Sequence, residues 1–66
     1  MNANKFKYFV AERGLTLNEL ASKMGMNNST LYRKMKGISD FTRDEILDCA
    51  KILKISEDEL LDIFFK

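Results

Sequence analysis

The sequence predicts an all-α fold, a compact bundle of five helices, and three observations carry that expectation. The 66 residues contain no proline and only three glycines, so little interrupts the helix propensity of the rest. No stretch alternates β-branched and polar residues as a half-buried strand would. Three helix starts are written as capping boxes: Thr16 with Glu19, Thr42 with Glu45, and Ser56 with Glu59. In such a box the hydroxyl accepts from the N3 backbone N–H and the carboxylate accepts from the cap's own N–H.

The first helix is expected from about Asn4 to Arg13, with Phe6, Phe9 and Val10 on one face and Gly14 at its stop. The second runs from Leu17 to Met24, opened by Thr16, with Leu15 and Leu20 placed as a hydrophobic staple. The third runs from Asn28 to Lys36, with Asn27 as its cap and Met26 and Leu31 as its staple. Its N3 residue is Thr30 rather than an acid. The fourth runs from Arg43 to Leu53 with the staple Phe41 and Ile46, and the fifth from Glu57 to Phe65 with the staple Ile55 and Leu60. Ile46, Cys49, Ala50 and Leu53 fall on one stripe of the fourth helix, so the lone Cys49 reads as a buried structural thiol.

Composition limits what such a chain can do. Hydrophobic residues make up 45% and charged residues 32%, as in ordinary globular proteins, and the length predicts one domain over residues 1–66. No apolar run is long enough to span a bilayer and no cleavage-site pattern opens the chain, so a cytoplasmic location is expected, without a membrane partner. There is no histidine and only one cysteine, which removes the commonest general base and any cysteine-based zinc site. No phosphate-binding glycine loop or nucleophile motif is present. The expectation is a protein that is not an enzyme, with no cofactor, no metal site and no small-molecule substrate.

Charge is more informative when the chain is split. Residues 1–36 hold seven Lys or Arg against two acids, a net +5, whereas residues 37–66 hold four against eight, a net −4. A basic half and an acidic half are expected when one face meets a polyanion and the rest keeps the protein soluble.

The second and third helices are joined by only Gly25, Met26 and Asn27, and so short a connection containing glycine crosses two helices sharply. Gly25 can adopt the positive φ that ends a helix, Met26 can plug the core, and Ala21 must be small where the helices cross. Leu20-Ala21, Met24-Gly25-Met26 and Leu31 resemble the pattern of the Cro/repressor (XRE-like) helix-turn-helix family. The resemblance extends through Leu15-Thr16, Gly37, Thr42 with Glu45-Ile46, and Ile55-Ser56 with Glu59-Leu60-Leu61. It implies a bundle of the repressor DNA-binding type, with the helix-turn-helix at helices two and three, in a phage or prophage regulator of transcription. The sequence departs from the family at Leu17, where a polar residue often contacts phosphate, and at Lys34, which stands at the second core position of the third helix. Either Met35 takes over that core position or the Lys34 stem lies along the core edge; one-turn spacing from Leu31 favours Met35.

With Leu31 and Met35 inward, the opposite face of the third helix carries Asn28, Ser29, Tyr32, Arg33 and Lys36. An α-helix fits the major groove of double-stranded DNA, where Asn pairs bidentately with adenine and Arg with guanine. Asn28, Ser29, Tyr32 and Arg33 are therefore the candidate base readers. Thr16, Asn18, Asn27, Thr30, Lys36, Ser39 and Arg43 are candidates for phosphate, with Asn27 fitting a helix cap better than a base reader. The fifth helix has more apolar residues than one core-facing stripe can use, and Leu61 and Phe65 are left as a candidate homodimer interface. A two-fold dimer, formed free or only on DNA, would match a palindromic operator. A single domain with no linker favours a Cro-like repressor over a two-domain one. The alternative, an interaction module such as an antirepressor or adaptor that keeps this fold, would call for acids or large apolar groups on the exposed face of the third helix.

Overall fold

Four of the five helices begin where a side chain satisfies their first free backbone donors. The computed structural model describes residues 1–65, with α1 at Ala3–Glu12, α2 at Leu17–Lys23, α3 at Asn28–Met35, α4 at Arg43–Leu53 and α5 at Glu57–Phe64, and with no strand among them. All three capping boxes close in both directions. The cap N–H lies 3.0, 2.8 and 2.8 Å from the Glu carboxylate at Thr16, Thr42 and Ser56, and the return bonds measure 3.1, 3.1 and 3.2 Å. α1 starts one residue earlier than its pattern predicts, because the Asn2 side chain accepts from the Lys5 N–H at 3.1 Å and serves as its cap.

The helix ends follow an equally local logic. Gly25 takes φ +71°, and the next residue, Met26, turns back to donate to the Ala21 carbonyl at 3.0 Å. A Cβ on Gly25 would meet nothing within 4 Å, so backbone conformation alone favours glycine there. At the end of α4 the same left-handed position is filled by Lys54, with φ 53°.

The apolar stripes meet in one core made of Phe6, Val10, Leu20, Ala21, Leu31, Met35, Cys49, Leu53 and Ile63. Phe9, Leu15, Leu17, Met24, Met26, Phe41, Ile55 and Phe64 pack around it, half-buried. Ala21 is fully buried where α2 meets α3, as the sharp turn requires. Cys49 is fully buried too, its Sγ 3.4 Å from the Met24 Sδ. Burial, together with the charges of Asp48 and Glu45, pushes its thiol up to about 12, so the thiolate is scarce at neutral pH.

Three rings lock the ends of the chain to the centre. Phe41 and Phe64 meet edge to face at 5.1 Å between centroids; Phe64 also meets Phe6 edge to face at 6.0 Å, and Phe41 lies tilted against Phe6 at the same distance. The Asn2 N–H donates to the Ile63 carbonyl at 2.7 Å, and Lys5 pairs with Asp62 at 3.4 Å. α1 and α5 thus form a base on which the α2–α3 unit is carried. Among the described residues no helix is long and apolar enough to cross a membrane.

Candidate nucleic-acid interface

α3 buries Leu31 completely and Met35 to 7% exposure, so both point inward and set the helix's rotation. Asn28, Ser29, Tyr32, Arg33 and Lys36 are all exposed: Ser29, Arg33 and Lys36 lie on the side turned away from Leu31 and Met35, whereas Asn28 and Tyr32 lie nearer the core stripe by helical spacing, Asn28 in the open first turn. Thr30 is half-buried. No acid occurs between Glu19 and Asp40, so this face meets an approaching phosphate without local repulsion.

Asn27 occupies the cap position of α3 with extended backbone, and its carbonyl accepts from the Leu31 N–H at 3.1 Å. Asn27 thus stands at the expected cap position, but its side chain makes no cap hydrogen bond. Residues 27–29 are all exposed, so solvent can serve the first-turn N–H groups and the Asn27 amide is left for another partner.

The second-helix candidates sit differently. Asn18 and Thr16 are both exposed at the start of α2. The Thr16 Oγ1 already accepts from the Glu19 N–H, so this hydroxyl is engaged in the capping box. The Thr16 backbone donor together with its hydroxyl holds the Glu19 carboxyl below the ordinary glutamate range. Leu17, half-buried against the core, is unavailable as a polar contact.

Beyond α3, Gly37 takes φ +81°, and Ile38 donates back to the Arg33 carbonyl at 3.0 Å. This closes the helix and throws the chain into the loop that carries Ser39, exposed, toward Arg43, also exposed, at the first position of α4. Ile38 itself is 71% exposed.

Lys34 behaves unlike its basic neighbours. Its side chain is only 11% exposed, and its Nζ lies 3.0 Å from the Glu45 Oε1 and donates to the Asp40 carbonyl at 2.8 Å. The same ammonium stands 5.9 Å over the Phe41 ring, close enough for a cation–π contribution. Both readings offered by the sequence therefore hold together: Met35 fills the core position, and the Lys34 stem lies along the core edge beside it. Burial pushes the Glu45 carboxyl up, but the Thr42 N–H and the Lys34 ammonium outweigh it and hold the group below its ordinary range. The signal for this pair was the capping-box acid of α4, eleven positions after a lysine standing at a core position.

Leu61 and Phe65 are 43% and 64% exposed, while Ile63 is buried and Leu60 and Phe64 are half-buried. α5 thus has a covered stripe and the exposed Leu61 outside it, while the exposed Phe65, expected within the helix, is its C-cap, one residue past its end.

Comparison with known proteins agrees with this architecture. No curated protein and no solved structure matches the chain. A helix-turn-helix family model matches residues 6–60, a span reaching from the first buried ring of α1 into α5. The chain belongs to the XRE-type helix-turn-helix family of DNA-binding transcription regulators.

Proposed function

We propose that the protein is a Cro-like phage repressor, acting in the cytoplasm, that reads a palindromic double-stranded operator in the major groove with α3. The observation that carries this reading is the exposed, acid-free surface of α3, on which Asn28 and Ser29 stand in the first turn and Tyr32 and Arg33 one turn later. Asn28 and Arg33 can make bidentate contacts to adenine and guanine, Tyr32 a ring contact to a thymine methyl, and Ser29 a hydrogen bond to either kind of base pair. Thr16, Asn18, Asn27, Thr30, Lys36, Ser39 and Arg43 surround them as phosphate contacts that fix the register of the helix on the duplex.

Operator sequences selected from a random duplex pool test this directly. Arg33→Ala should weaken binding to the selected site by ~1–3 kcal/mol and relax preference at one base pair per half-site, with the thermal midpoint unmoved. Binding by the variant as tight as the parent's would remove Arg33 from the reading face.

The dimer is built on α5. Leu61 and Phe65 cover each other's counterparts across a two-fold axis, placing two α3 helices ~34 Å apart, one turn of DNA. Sedimentation with and without operator checks it: a Leu61→Asp, Phe65→Asp double variant should lose the second copy or its cooperativity, and unchanged two-copy binding removes α5 from the interface.

A further inference from the structure

We propose that Lys34, although it lies in the basic run of α3, does not touch DNA and is a positioning residue, which neutralises Glu45 beside the loop from which Ser39 and Arg43 meet backbone phosphates. The inference rests on the DNA-reading role proposed above, and deepens it by assigning one cation of α3 to a different task.

The geometry separates Lys34 from a phosphate contact. A lysine that grips DNA keeps its ammonium in solvent at the end of a mobile stem, as the exposed Lys36 does. Lys34 is instead turned along the core edge at 11% exposure, with two of its three donors committed to the Asp40 carbonyl at 2.8 Å and the Glu45 carboxylate at 3.0 Å. These two partners lie on the loop and on α4. One side chain therefore ties the last turn of α3 to both ends of the segment between Ser39 and Arg43.

The electrostatic half of the argument concerns Glu45. Its Oε1 is held by the Thr42 N–H at 2.8 Å, which fixes the carboxylate at the mouth of α4, two residues after Arg43. An uncancelled anion there would repel the phosphates that Arg43 and Ser39 are placed to meet. The capping box requires an acid or amide at this position, and Lys34 removes the cost of the acid to DNA binding. Glutamine would keep the box without the charge, which supplies the test.

Operator affinity and its salt dependence are measured for the parent, Lys34→Met, Glu45→Gln and the double variant, with amide NMR spectra of each free protein. Lys34→Met should weaken binding on the order of tenfold, comparable to losing one phosphate contact, and should shift the amide signals of residues 37–43 while leaving α1 and α2 in place. Adding Glu45→Gln should return affinity to within about threefold of the parent, because the repelling charge leaves with its partner. If Lys34 instead touches phosphate, the two substitutions are additive, the double variant keeps the Lys34→Met loss, and the salt slope falls by about one in both; that result overturns the proposal. Parent-like binding by Lys34→Met overturns it as well. Should Lys34→Met not fold, the double variant, which removes both charges of the pair together, decides alone by the same threefold or tenfold outcome. A parent protein that binds no duplex at any salt concentration would refute the DNA reading itself, a failure visible before any variant is compared.

Discussion

Met35→Ala should destabilise the fold by about 3 kcal/mol without altering what the folded protein recognises. Met35 is 7% exposed and shares the inward face of α3 with the fully buried Leu31. Truncating a buried methionine to alanine costs ~2–5 kcal/mol through lost burial and the cavity left behind. The middle of that range applies because Met35 ends its helix beside a loop that can relax only part of the way. A chain of 66 residues has roughly 3–10 kcal/mol of stability in total, so the loss is a large fraction of it. At ~4–8 °C per kcal/mol for a domain of this size, the thermal midpoint should fall by roughly 12–24 °C. Circular dichroism melts measure the fall, and operator titrations at low temperature, corrected for the folded fraction, should give near-parent affinity. Lys34→Met is the control: its partner Glu45 keeps 25% exposure, so water can serve the carboxylate and the cost should be about 1 kcal/mol or less. A midpoint that hardly moves in Met35→Ala, or falls further in Lys34→Met, would mean that α3 is rotated from the orientation described.

Lys36→Ala should weaken binding to all duplexes about equally and lower the salt slope by about one; a loss confined to one base position would make Lys36 a reader. Lys54→Gly should stabilise the protein by up to ~1 kcal/mol, since a left-handed φ of 53° strains a residue with a Cβ; a lower midpoint in urea would contradict this. The lowered Glu45 carboxyl contributes stability that is present above its ordinary 4.5 and lost as pH falls through the lowered value. Glu45→Gln should therefore show a shallower loss of midpoint below pH ~4.5 than the parent, and equal slopes would refute the assignment. Cys49, fully buried with its thiol raised to about 12, should react with a disulfide reagent at neutral pH only at the rate of unfolding; fast labelling of the native protein would place it at the surface.

Much of the fold was legible because it is specified locally. A capping box is complete within four residues, so all three could be read off the sequence and all three close. The burial of Ala21, Cys49, Leu31 and Met35 follows from helical spacing alone. Asn27 marks where such reading stops: an amide before a helix predicts a cap, but whether the side chain turns back to the helix depends on what lies outside it, and here it makes no such bond. Lys54 is similar, since sequence signals for the left-handed turn centre on glycine and a lysine there gives no warning.

Lys34 was the least legible residue of the candidate site, and the reason is instructive for counting charges. Its partners stand six and eleven positions away, beyond the reach of any one-helix pattern, and they come within 3.0 Å only because Gly37 and Ile38 turn the chain back beneath α3. On sequence alone, Arg33, Lys34 and Lys36 make three cations for a polyanion, and although the Lys34 stem can be placed along the core edge, no pattern assigns an acid to its ammonium. The folded chain divides them by depth. Arg33 and Lys36 remain on the exposed face, while Lys34 is matched one-to-one with an acid of the following helix. The favourable counterion release from α3 should accordingly reflect two cations, not three. The third is paired with the acid of the α4 capping box.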